Sequence, residues 1–218
     1  MRALQNLKIS RCRLSKLPPG LNCQATALRV MTIQNIKELR SVENFSSVVE
    51  LYLHSISNLE KIVNLPNMEM LRISKCPQLK VLKKVKALSS IELKDYEMIA
   101  LPKYLKSLKL RQLKIDCTLK LLHMISKREA ALEWEKISHI RNIEAYVDGF
   151  DDNKRLHVFY TKETDSFKIH LGEYAASSNS ADTEDIDEVA GPSEQEDNHN
   201  QQATGSELPT SEQSTHET

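Results

Sequence analysis

The chain has 218 residues, 40% of them hydrophobic, with 30 basic and 30 acidic side chains, enough for one or two domains with a sizeable core but with no 18-residue apolar run to cross a bilayer. The zero net charge is a cancellation. Residues 1–140 carry 25 Lys/Arg against 12 Asp/Glu, residues 141–174 carry 5 against 7, and residues 175–218 carry none against 11.

From the N-terminus, the spacing Leu4, Leu7, Ile9, Cys12 recurs as Leu28, Met31, Ile33, Ile36, then Val48, Leu51, Leu53, Ile56, then Met68, Leu71, Ile73, Cys76, then Leu88, Ile91, Leu93, Tyr96. A sixth copy, Leu110, Leu113, Ile115, holds the first three positions. Successive copies start 24, 20, 20, 20 and 22 residues apart. That period and the LxxLxLxx(N/C) frame are the leucine-rich-repeat signature. The frame predicts an α/β solenoid over residues 1–116: short parallel strands with alternate side chains in the core and an irregular convex side. Two further apolar anchors follow each strand: Leu14 and Leu17, Leu39 and Val42, Leu59 and Ile62, Leu79 and Leu82, Met98 and Leu101. Pro18, Pro66 and Pro102 fall on the convex side, where a missing N–H is tolerated. Nothing covers Leu4, Leu7 and Ile9, so residues 1–25 are expected to fray.

Past the repeats the period changes. Leu122, Ile125, Leu132 and Ile137 predict one helix or two short ones between Cys117 and Ile137. Three alternating runs then read as strands: Ile143, Ala145, Val147; Leu156, Val158, Tyr160; and Phe167, Ile169, Leu171, with a turn at Asp148-Gly149. A repeat array needs its last apolar edge covered, so residues 117–174 are expected to be an α+β C-terminal cap. Residues 175–218, without an aromatic side chain, cannot offset the ordering entropy of about 1–2 kcal/mol per residue and are expected to be a disordered acidic tail.

The candidate site is the solvent-facing side of the strands, expected to be the concave face. Its columns run Asn6, Val30, Glu50, Met70, Ser90, Gln112; then Lys8, Thr32, Tyr52, Arg72, Glu92, Lys114; then Ser10, Gln34, His54, Ser74, Lys94, Asp116. Tyr52, His54, Met70 and Arg72 bring the aromatic, Met and Arg content that interface centres favour. With Lys8, Lys94 and Lys114 they make the predicted protein-binding surface.

Other chemistries lack their residues. The cysteines at 12, 23, 76 and 117 form no CxxC pair; Cys12 and Cys76 fall at the repeat turn and are expected to be small buried thiols, which suits a reduced, cytoplasmic setting. The seven histidines have no partner His or Cys at ligand spacing, and neither a nucleophile elbow nor a Gly-rich phosphate loop is present. No catalytic residue, metal site or cofactor is therefore expected. The run Lys80, Lys83, Lys84, Lys86 has no interleaved aromatic, as single-strand nucleic-acid binding would need, and protein contact is expected instead. No membrane association is expected.

The stretches LRISKCPQLKVL (Leu71 to Leu82), REAALEWEKISHIRNIEAYVDG (Arg128 to Gly149) and KRLHVFYT (Lys154 to Thr161) resemble the C-terminal end of cereal-type coiled-coil nucleotide-binding leucine-rich-repeat disease-resistance proteins of plants. The likeness covers residues 4 to about 174. It implies a sensor and autoinhibitory module of an intracellular immune receptor. Its partner would be a pathogen effector, a guarded host protein or the nucleotide-binding domain of a parent receptor. The chain has no GxxxxGK[ST] motif and no coiled-coil heptads, so the family's nucleotide switch is absent from these 218 residues. The alternative is a generic leucine-rich-repeat adaptor, such as the substrate-binding arm of a ubiquitin ligase.

Overall fold

The computed structural model describes residues 4–128, 132–147 and 157–170, all within one compact unit spanning Met1–Ser180. Alternation of apolar and polar residues sets the first level of structure. Strands β1 (Asn6–Ser10), β2 (Val30–Gln34), β4 (Glu50–His54), β6 (Met70–Ser74), β8 (Ser90–Lys94) and β9 (Gln112–Asp116) each carry the LxL core of one repeat. They pair in parallel, always with equivalent positions opposed: Leu7 faces Met31, then Leu51, Leu71, Ile91 and Leu113. The second column is Ile9, Ile33, Leu53, Ile73, Leu93 and Ile115. From β2 onward both columns are buried, each large side chain contributing about 1.5–3 kcal/mol. A one-residue slip would turn both columns outward, which fixes the register.

Between these strands run three shorter ones, β3 (Ser41–Glu43), β5 (Lys61–Val63) and β7 (Val81–Lys83). They form a second parallel sheet, with Val42, Ile62 and Leu82 stacked inward. The back of the second, third and fourth repeats is thus regular, where the sequence suggests irregular backbone. A 20-residue period leaves too little chain for a helix but enough for three extended residues. The result is a β-solenoid of mostly parallel strands with few helices, compatible with a leucine-rich-repeat frame.

Two sharp corners recur in each turn. Arg11, Asn35, Ser55 and Lys75 follow the front strands, and Asn44, Asn64 and Lys84 follow the back strands, all left-handed with φ between 52° and 66°. Asn tolerates that region best, and the Asn64 amide donates to Asn44 Oδ1 at 2.8 Å, tying two corners together. Cys76 is buried beside its corner, with Sγ 3.4 Å from the Ser74 carbonyl oxygen. Cys12 is only half-buried, because β1 is an edge strand of the sheet among the described residues. Tyr96, at the same turn position, is exposed, whereas Ile36 and Ile56 are fully buried there. Leu4 is 49% exposed and Leu7 and Ile9 are half-buried, yet β1 pairs with β2 along its whole length. The short helix α1 (Leu21–Gln24) opens on Gly20, whose φ of 83° suits glycine.

The fifth repeat breaks the pattern. A 3-10 helix, Lys103–Ser107, starts after Pro102 where a back strand would lie, and the back sheet ends at β7. Two short helices follow, α2 (Leu119–Ser126) and α3 (Leu132–Glu135). Thr118 caps α2 by accepting from the Leu121 amide at 3.2 Å, and its hydroxyl donates to the Met98 carbonyl at 2.8 Å. Glu133, only 9% exposed, accepts from the Leu101 amide at 2.6 Å and pairs with Lys136 at 2.7 Å. The Lys136 ammonium donates to the Leu101 carbonyl at 3.0 Å.

The late runs continue the front sheet. β10 (Asn142–Tyr146) pairs in parallel with β9, and β11 (His157–Thr161) and β12 (Ser166–His170) add antiparallel strands, nine in all. Val147 lies just past β10. Leu156, Leu171, the Asp148-Gly149 turn and the acidic tail lie outside the described residues. Trp134 packs edge-on against Tyr160 and Phe167, with centroids 4.9 and 5.5 Å away. The Arg128 guanidinium sits 5.0–5.6 Å from all three rings and pairs with Asp165 in the β11–β12 turn.

Candidate functional site: the solvent face of the nine-stranded sheet

The register that buries one set of side chains lines up the other. Glu50, Met70, Ser90 and Gln112 occupy one column; Tyr52, Arg72, Glu92 and Lys114 a second; His54, Ser74, Lys94 and Asp116 a third. The predicted columns are therefore real rows of neighbours, about 4.8 Å apart from strand to strand.

Three predicted residues meet in the middle. The Arg72 guanidinium lies 5.2 Å from the Tyr52 ring centroid and donates Nε–H to Glu92 Oε2 at 2.7 Å. The Tyr52 hydroxyl donates to Glu50 Oε2 at 2.5 Å and stands 4.0 Å from the Met70 sulfur. The hydrogen bond to Glu50, helped by burial, pushes the Tyr52 phenol above its ordinary pKa. With both partners partly exposed, the Arg72–Glu92 pair adds at most about 1 kcal/mol, and the ring contact about 0.5–1 kcal/mol. Their effect is to hold Arg72 beside the Tyr52 ring, so that less side-chain entropy is left to lose on binding.

Lys94 makes a second contact group. Its ammonium lies 3.4 Å from Asp116 Oδ2 and 5.5 Å from the Tyr96 ring. Tyr96 first, and then Asp116, hold it above the usual lysine value. Asp116 is 5% exposed, and its Oδ1 has no hydrogen-bond partner among the described residues. Lys114 lies 5.2 Å from the Tyr146 ring. His54 is exposed on β4 beside Ser74, and Lys8 stands apart on the β1 edge.

The surface extends further than the repeat columns indicate. Lys114 opposes Glu144, which opposes Phe159; Asp116 opposes Tyr146, which opposes His157. Tyr146, His157 and Phe159 form a ring cluster with centroids 4.8–6.2 Å apart. Glu144 accepts from the Tyr146 hydroxyl at 3.1 Å. The available signal was that Ile143 and Ala145 point inward, which turns Glu144 and Tyr146 outward. What the spacing did not show is that β10 lies beside β9, 30 residues away, rather than in a separate sheet. The face thus carries two aromatic groups, on β4–β6 and on β10–β11, with three strand spacings, about 14 Å, between β6 and β10. The carboxylates of Glu50, Glu92, Asp116 and Glu144 are each engaged by a neighbour on the face.

Among the described residues no group of His, Cys, Asp and Glu is placed to hold a metal ion, and no helix is long and apolar enough to cross a membrane. Compared with protein-family models, with curated proteins and with solved structures, the chain gives no match.

Proposed function

We propose that the chain is a recognition module that binds a protein partner through the solvent face of its nine-stranded sheet. The observation that carries this reading is the Tyr52–Met70–Arg72 group: three residue types favoured at interface centres, preassembled on adjacent strands. The cluster of Tyr146, His157 and Phe159 would give the partner a second point of contact. An array of anchored side chains spread over several strands suits a protein surface better than a small molecule, which needs an enclosing pocket. Following the resemblance of REAALEWEKISHIRNIEAYVDG, the setting proposed is a plant intracellular immune receptor. The partner would then be a pathogen effector, a guarded host protein or the receptor's own nucleotide-binding domain.

The test is comparative affinity capture from plant extract with the wild-type chain and with Tyr52→Ala/Arg72→Ala, both shown to be folded by circular dichroism. Interface anchors cost about 2 kcal/mol or more when truncated, so partners should fall at least about thirtyfold in affinity. A capture profile and affinities unchanged by the double substitution would remove this face as the binding surface.

A further inference from the structure

The fifth repeat's irregularity opens the core. In the third repeat Leu53, Ile56 and Leu59 are sealed at 0–2% exposure, whereas their equivalents one turn later, Ile73, Cys76 and Leu79, rise to 6–8%. The cause is the segment after β8. Asp95 is not in the left-handed conformation of Lys75, the equivalent corner, and the chain crosses to a 3-10 helix instead of a back strand. A cavity of about 580 Å³ lies between the two turns, within the range of small-ligand sites. Its walls include Cys76, Leu79, Leu93, Met98, Leu101 and Tyr104. At its margin Ile99 is 67% exposed.

Basic groups outnumber acidic ones around it. Lys75, Lys80 and Lys103 line the cavity, and none has an ion-pair partner among the described residues. Two carboxylates share the lining: Asp95, which accepts from the Glu97 amide at 3.0 Å, and the exposed Glu97 itself. Lys94 is engaged by Asp116. The Tyr104 side chain is buried in the cavity wall. An apolar interior whose margin carries three lysines without ion-pair partners, an excess of ammonium over carboxylate, is the complement of a molecule with an apolar body and an anionic head.

We propose that this cavity is a binding site for a small amphiphilic anion, a carboxylate carried on an aliphatic chain, with the chain against Leu79, Leu93 and Leu101 and the head among Lys75, Lys80 and Lys103. The probes are decanoate, decanol and decyltrimethylammonium, each titrated below its micelle concentration into the full chain and followed by methyl NMR and calorimetry. Decanoate should bind saturably at one site, shift the methyl signals of Met98 and Leu101 but not those of Ile33, and exceed decanol about tenfold in affinity, a charge-assisted contact being the difference. The cationic amphiphile should bind more weakly than decanol.

Lys80→Glu/Lys103→Glu should remove the preference for decanoate while leaving decanol affinity unchanged. Ala100→Trp should block all three probes by filling the space. A Lys80→Gln/Lys103→Gln variant gives the same reading should the charge reversal unfold the chain. Equal affinity for the three probes, non-saturating uptake, shifts spread over the whole core, or binding to anionic vesicles without any to monomeric decanoate would each overturn the proposal.

Discussion

Glu133→Ala tests how the C-terminal segment is fastened to the repeats. The Glu133 carboxylate is the acceptor for the Leu101 amide and the counter-charge of Lys136, and both it and Lys136 are largely shielded, with side chains 11% and 18% exposed. Removing it leaves a buried N–H unpaired, at about 1–3 kcal/mol, and strands an ammonium whose remaining contact is the Leu101 carbonyl. Breaking a buried pair costs about 3–5 kcal/mol; partial exposure and the surviving contact bring the combined loss to about 3 kcal/mol. In a domain of this size each kcal/mol lowers the melting temperature by about 2–4 °C, so a drop of about 6–12 °C is expected by calorimetry. Glu133→Gln keeps an acceptor for the amide and should lose about 1 kcal/mol. Adding Lys136→Met to the alanine variant should recover part of the loss, since no charge is then stranded. Hydrogen exchange at the Leu101 amide should accelerate in the alanine variant and stay slow in the glutamine one. A melting temperature within 2 °C of wild type for Glu133→Ala, or equal losses for Ala and Gln, would refute the reasoning.

Lys84 occupies the third of the stacked back corners at φ 56° without the side chain that joins Asn44 to Asn64; Lys84→Asn should raise the melting temperature by about 1–4 °C, worth about 0.5–1 kcal/mol, and Lys84→Ala should not. Burial pushes the Cys76 thiol up to about 11 and the Cys117 thiol up to about 12, so a disulfide reagent at pH 8 should modify exposed Cys23 and spare these two until the chain unfolds. Because both folded values lie above the unfolded value of about 8.5, their contribution to stability is whole below that pH. It should fall by about 1.4 kcal/mol per pH unit per thiol as pH rises toward 11, seen as a falling denaturant midpoint. Trp134 is the chain's single tryptophan, packed with Tyr160 and Phe167 around Arg128; Arg128→Ala should red-shift its emission, and an unchanged spectrum would show that the guanidinium does not shield the ring.

Much of this fold was legible because a repeat states the same constraint several times. One LxL run is ambiguous; five at nearly equal spacing fix which residues point inward, and therefore that Tyr52, Arg72 and Glu92 stand side by side. What the sequence left hidden depends on unlike segments meeting. The back sheet was missed because Val42, Ile62 and Leu82 read equally well as anchors on irregular chain, and three residues are too few for a period to show. Tyr146 and Phe159 were read as strand residues but not as part of the recognition face, since their place beside Lys114 follows from β10 pairing with β9 across a 30-residue excursion. The cavity was beyond reach for a related reason: DYEMIALP, Asp95 to Pro102, has the hydrophobicity of a repeat, and only the altered corner at Asp95 shows that it does not close like one.

The back sheet has a mechanical consequence. Turns joined by both a front and a back ladder resist separation more than turns joined by the front ladder alone, and in a chain of nearest-neighbour contacts melting advances from the weakly joined ends. The doubly laddered stretch runs from β3 to β7, and between them lie β4 and β6, the strands that carry Tyr52, Met70 and Arg72. The proposed contact surface is therefore mounted on the part of the array that comes apart last. Heat or pulling from either end would strip the edge strand β1 and the terminal hairpin while that patch still kept its shape.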